Sequence, residues 1–104
     1  MQRGNRFQFG QDVTRAIADA KREWQTGNRS SYLKPHEGHE LANVVRRGPG
    51  SSLWECQVGN AHPGDASPAG RRRVVVWEDS GQLKRFFFTD DHYRFGSWYE
   101  ITDA

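Results

Sequence analysis

Apolar positions follow two different periods along this chain. Between residues 12 and 26, Val13, Ala16, Ile17, Ala20 and Trp24 recur at i, i+3, i+4, i+7 and i+11. That spacing stacks them on one helical face, with Arg15, Asp19, Arg22 and Glu23 largely on the wet side. Asp12 suits an N-cap, and Gly27-Asn28 supplies a stop. The spacing predicts one amphipathic helix over residues 12–26.

Later the period drops to two. Over Leu53–Val58, alternation puts Trp54, Cys56 and Val58 on one face and Leu53, Glu55 and Gln57 on the other. In the last third, Arg71-Arg72-Arg73 opens the run Val74-Val75-Val76-Trp77. A Ser80-Gly81 turn follows, then Leu83-Lys84-Arg85-Phe86-Phe87-Phe88, then Thr89-Asp90-Asp91-His92-Tyr93, and finally Arg94 to Ile101. β-Branched and aromatic residues between turn signals predict three antiparallel strands here, with Phe86–Phe88 in the core.

The remaining segments are less regular. Residues 1–10 read as a loose arm or short extended segment, with Phe7 and Phe9 as candidate anchors. Ser30-Ser31, Pro35, Gly38, Gly48, Pro49 and Gly50 interrupt residues 28–50, where Leu41–Val45 fits either a strand or one helical turn. Residues 59–70 read as a long loop. The expected fold is α+β, one domain over 1–104: an N-terminal helix packed on an antiparallel sheet of four to five strands. The sheet would bury one face under the helix and leave the other open. Glu55 and the strand-initial arginines would share that open face with His92 at a strand end.

Composition narrows the picture. Only 35% of the 104 residues are apolar, mean hydropathy is −0.93, and aromatic residues at 12% must carry much of a modest core. Fifteen Lys and Arg against 13 Asp and Glu leave a net charge of +2, too weak to prove a nucleic-acid partner. It does suit basic residues converging on one anionic site. A single cysteine, Cys56, excludes an internal disulfide and a zinc site built of thiolates alone; its alternation reads as core. The N-terminus has no apolar leader and no stretch reaches membrane-spanning length. The expectation is a cytoplasmic protein, or a domain of a longer exported chain.

A carboxylate, a histidine and an arginine together suit RNA cleavage by internal transesterification. The carboxylate takes the 2′-hydroxyl proton, and the freed oxygen attacks the adjacent phosphorus. The histidine protonates the departing 5′-oxygen, and arginine binds the non-bridging oxygens. The nucleophile belongs to the substrate, so no metal or cofactor is expected.

Thr89-Asp90-Asp91-His92-Tyr93, two residues before Phe95, resembles the C-terminal motif of the microbial guanyl-specific ribonucleases, the barnase and fungal ribonuclease superfamily. Ser67 to Val75, continued by Gln82-Leu83, looks like the family's arginine strand and hairpin, and Trp54-Glu55 like the strand of its general base. The likeness covers about residues 53–102, plus the early helix by order. It implies Glu55 as general base, His92 as general acid and Arg73 on the scissile phosphate. Tyr93 would lie against the nucleotide and Asp91 would shape the histidine loop. Members commonly carry a second phosphate arginine where this chain has Ala69, so Arg71, Arg72 or Arg85 would take that part. Asn43 to Arg47 lies where bacterial members read guanine but does not match their loop, and fungal disulfides are impossible.

Fungal members also place a Pro-His pair before the base, and by that likeness His36 of Pro35-His36 would assist Glu55. The run His36-Glu37-Gly38-His39-Glu40 invites a metal reading too, with His62 or His92. However, His36 and His39 stand three apart around a glycine, not at the helical i, i+4 zinc spacing, and a solvated loop fits better.

The resemblance thus implies a barnase-like, metal-independent endoribonuclease acting on single-stranded RNA. It further implies a monomeric toxin domain, secreted or delivered into a target cell, with an acidic inhibitor or immunity protein and no membrane role. Two other classes stay open: a non-catalytic RNA-binding module that stacks bases on its sheet, and an immunity or antitoxin protein that binds another protein.

Overall fold

A computed structural model describes residues 1–27, 32–59, 70–91 and 97–104 of the chain. The elements are β1 (Gln2–Gly4), a 3-10 turn (Arg6–Phe9), α1 (Gln11–Thr26), β2 (Lys34–Pro35), β3 (Ser51–Gln57), β4 (Arg73–Asp79), β5 (Gln82–Thr89) and β6 (Trp98–Ile101). The fold is α+β, with one helix on a six-stranded sheet of order β1-β6-β5-β4-β3-β2.

Val13, Ala16, Ile17 and Ala20 form the buried face of α1, as the helical spacing requires. The N-cap is Gly10, not Asp12. Asp12 occupies the first turn, where a carboxylate complements the helix dipole, and binds Arg72. Gly27 ends the helix in the left-handed region at φ 77°, its N–H donating to the Trp24 carbonyl. Trp24 then donates from Nε1 to the Gly81 carbonyl at 3.0 Å and meets Trp54 edge-on at 5.7 Å.

β4 and β5 form the central hairpin. Ser80 (φ 56°) and Gly81 (φ 83°) are both left-handed, as the two-residue turn favoured by strand twist demands. β3 pairs antiparallel with β4, and β5 with β6. Under α1 the sheet contributes Cys56, Val58, Val74, Val76, Phe86, Phe88 and Ile101.

Two features differ from expectation. The N-terminal arm takes the extended one of its two expected forms but is docked as a strand: β1 pairs parallel with β6 through Gln2↔Tyr99, Arg3↔Glu100 and Gly4↔Ile101. The sheet is therefore mixed, with six strands among the described residues rather than four or five antiparallel ones. β1 covers what would otherwise be an unpaired β6 edge. Gly4 permits this because a Cβ there would lie 2.9 Å from the Phe9 ring. Phe9, not the 73% exposed Phe7, is the anchor, packing on Phe88 and Tyr99 at 5.2 and 5.3 Å.

The second difference is that the far face of the sheet is not left open throughout. Leu53, Val75, Phe87 and Trp98 form a second core there with Leu41 and Val45. Leu41–Val45 is a turn, with Val44 and Val45 N–H both donating to the Leu41 carbonyl. Four apolar residues on one face need cover from water, and this turn provides it. No helix of the described residues is long and apolar enough to cross a membrane.

Candidate active site

Register builds the site. Glu55 stands opposite Val75, and Gln57 stands opposite Arg73. Directly paired residues share a face, and residues two apart share a face, so Glu55 and Arg73 project together on the side away from α1. They come from adjacent strands, one row apart. β2 adds Lys34, directly opposite Glu55.

The chain leaving β2 bends over this face. His36 N–H donates to the Leu53 carbonyl at 2.9 Å. The imidazole is nearly enclosed, with its side chain 3% exposed. Nδ1 lies 3.4 Å from Oε2 of Glu55, and Nε2 lies 3.5 Å from Oε2 of Glu40. The indole of Trp98 stands edge-on to the ring at 6.5 Å. Arg47 holds the loop from outside, donating to the carbonyls of His36 (2.8 Å), Glu37 (3.2 Å) and Gly38. Gly38 leaves room for the Glu40 carboxylate, which a Cβ would overlap.

Arg73 is 8% exposed, and Nη1 donates to the carbonyls of Gly70 (3.0 Å) and Arg72 (2.8 Å). Those bonds fix the guanidinium plane. Across the sheet, Arg73 pairs with Thr89, and Thr89 with Trp98. Thr89 Oγ1 accepts from Asp91 N–H and meets Ser97 Oγ at 2.7 Å. The two ends of the β5–β6 connection are thus tied together in the row of Arg73. His92 and Tyr93, expected as acid and nucleotide contact, lie outside the described residues, as do His62 and Ala69.

The other arginines are placed differently. Arg72 points to the helix side. It forms an ion pair with Asp12, donates from Nη2 to Asp12 Oδ1 at 2.9 Å, and lies 5.6 Å over the Phe88 ring. This partner holds the Asp12 carboxyl below its ordinary range. Arg85 is forked onto Glu100 at 2.8 and 2.6 Å and donates to the Val44 carbonyl at 3.1 Å. Those hydrogen bonds lower the Glu100 pKa, against the opposing pull of burial. Glu100 is three strands from Glu55 along one row (Glu55↔Val75↔Phe87↔Glu100), so Arg85 is committed near the opposite edge. Arg71 is exposed just before β4.

Among the described residues, no group of three or more His, Cys, Asp or Glu could hold a metal ion. His39 is exposed. Cys56 is buried, and burial pushes its thiol up to about 12. Burial likewise raises the Tyr32 phenol, whose hydroxyl donates to the Gln57 carbonyl at 3.1 Å.

Sequence reading named Gly38 and Glu40 only within a metal-like run and Arg47 only beside the guanine-reading position, and missed their part around His36. Glu40 stands four residues after His36, a spacing that brings side chains together in any helical turn. That was the available signal. Comparison with protein-family models, curated proteins and solved structures finds no match to this chain.

Proposed function

We propose that the chain is a metal-independent endoribonuclease of barnase-like type, cutting single-stranded RNA to a 2′,3′-cyclic phosphate end. The observation that carries this reading is that Glu55 and Arg73 share one sheet face in neighbouring rows, with the His36 imidazole 3.4 Å from the Glu55 carboxylate. A carboxylate and a guanidinium on one face are group types that transesterification requires around one phosphodiester.

In this reading Glu55 removes the 2′-hydroxyl proton. The oxygen bonds to phosphorus, and the P–O5′ bond breaks in line. His92 gives its proton to the leaving oxygen, and Arg73 binds the non-bridging oxygens as charge gathers on them. Tyr93 lies against the nucleotide. His36 sets the carboxylate's orientation; Glu55, with a side chain 26% exposed, keeps access to substrate. Each proton-transfer group contributes roughly 10²–10⁴-fold. As a toxin domain delivered into a target cell, such an enzyme needs an acidic inhibitor in its producer, one that covers Arg73 and Lys34.

The test is incubation with end-labelled RNA in excess EDTA, beside Glu55→Ala, Arg73→Ala and His92→Ala. Cleavage should persist in EDTA and fall at least about 10²-fold in each variant. Tight RNA binding without cleavage would replace the enzyme with a binding module. Inertness towards RNA together with capture of a protein partner would point to an immunity protein.

A further inference from the structure

His36 meets a second carboxylate that the proposed reaction does not use. Its Nε2, the ring nitrogen that does not face Glu55, lies 3.5 Å from Oε2 of Glu40. That oxygen is buried, and among the described residues it accepts no hydrogen bond. A buried carboxylate oxygen is costly unless a polar group compensates it, and the imidazole is the group placed to do so. The loop is built to bring the two together. Glu40 stands four residues after His36, and Gly38 between them leaves the space that a Cβ would fill. Arg47 fixes the backbone by donating to the carbonyls of His36, Glu37 and Gly38. Neither Glu40 nor His36 lines the cleft of about 460 Å³ into which Glu55 and Arg73 open, so this carboxylate stands behind the site.

The order Glu40, His36, Glu55 bears on which way round the ring sits. Half a turn about the Cβ–Cγ bond exchanges Nδ1 with Cδ2 and Nε2 with Cε1. Both carboxylates would then face ring carbons instead of nitrogens. Glu55 alone distinguishes the two states at one nitrogen; Glu40 distinguishes them at the other. We infer that Glu40 is a positioning residue of the site: through Nε2 it holds the His36 ring with Nδ1 turned to Glu55, and so acts on the general base without touching RNA. An acceptor behind an imidazole fixes the ring while its other nitrogen serves the site, which is the general logic of a base oriented by a third group. The effect on turnover rests on the ribonuclease reading. The ring contact is measurable apart from it.

The test joins a double-mutant cycle to NMR of the ring. With an RNA oligonucleotide in EDTA, Glu40→Ala should lower kcat about 10-fold and change KM less than about threefold. Glu40→Gln, which keeps an acceptor oxygen at the same reach, should recover most of that loss. In a His36→Ala background, Glu40→Ala should cost nothing further, because the ring it acts through is gone. A loop damaged by the substitution would lose activity with or without the ring. Long-range nitrogen–proton spectra read the ring directly. Glu40→Ala should move both His36 nitrogen signals and leave those of the exposed His39 in place. Glu55→Gln should move the Nδ1 signal in the parent protein, and move it less when Glu40→Ala is also present. Additive losses in the cycle, Glu40→Gln as damaging as Glu40→Ala, or ring signals that ignore Glu40→Ala each overturn the positioning role. If the parent cuts no RNA but the ring signals respond, the ribonuclease reading falls and the hold of Glu40 on the ring stands. If RNA is cut and Glu40→Ala leaves kcat unchanged, the reverse holds. Thermal melts identify a variant that fails to fold, and the near-isosteric Glu40→Gln then carries the spectra and the cycle.

Discussion

Nδ1 of His36 stands 3.4 Å from Oε2 of Glu55, two residues separated by nineteen positions and brought together by the β2–β3 pairing. Glu40 lies against the other ring nitrogen at 3.5 Å. The imidazole is therefore braced between two carboxylates, one of them the proposed base.

Removing this brace should affect turnover more than affinity. His36→Ala frees the Glu55 carboxylate to rotate away from the 2′-hydroxyl, and a small misplacement of a catalytic group lowers rate steeply. The expected result is a fall in kcat of about 10–10²-fold with KM changed less than about threefold. Steady-state kinetics on an RNA oligonucleotide checks it. Equal losses in kcat and KM would refute a purely orienting part.

Gly38→Ala tests the brace from the other side. The new Cβ would overlap the Glu40 carboxylate, which is the mobile end of a long side chain and can swing aside. Stability should change by less than about 1 kcal/mol in thermal melts. Activity should nevertheless drop to the level of Glu40→Ala, because both changes remove the same carboxylate from the ring.

Acid should loosen the fold through Glu100. Its pKa is lowered in the folded state by hydrogen bonds from Arg85. A depressed carboxylate contributes stability above the unfolded value, about 4.3, and loses it as pH falls through the lower folded value. Urea midpoints should be flat near neutrality and decline below about pH 4. In Glu100→Gln that decline should be shallower, with a loss of roughly 1 kcal/mol at pH 7 from the broken fork. Asp12, lowered by Arg72, adds a smaller term of the same sign because its side chain is 36% exposed.

Cys56 should resist thiol reagents. Its thiol is 3% exposed and burial pushes its pKa up to about 12, so thiolate is scarce at pH 8. Native protein should react with a disulfide reagent orders of magnitude more slowly than protein in urea. A native rate near the denatured one would mean that the core under α1 opens readily.

The chain's local periods determined more than its pairings. The 3.6-residue spacing of Val13, Ala16, Ile17 and Ala20 fixed which side of α1 is buried. The period of two put Trp54 and Cys56 on one face and Glu55 on the other; the register of β3 with β4 then set Arg73, rather than the whole arginine run, on the face of Glu55. The same alternation sends Arg72 towards Asp12, a consequence legible in Arg71-Arg72-Arg73 once one residue's face is known. These patterns follow from covalent geometry, which acts on neighbours in the chain.

Only the tertiary structure decided what distant segments do to one another. The parallel docking of β1 on β6 joins residues 97 apart, and nothing in Gln2-Arg3-Gly4 announces its partner. The burial of Leu41 and Val45 depends on an apolar sheet face that forms elsewhere. Arg85 looked available in sequence, yet Glu100 from another strand holds it. Glu40 reaches His36 only because Gly38 leaves space and Arg47 ties down three carbonyls of the loop. Such contacts exist only after loops close, and their free energy comes from groups that the local pattern cannot bring together.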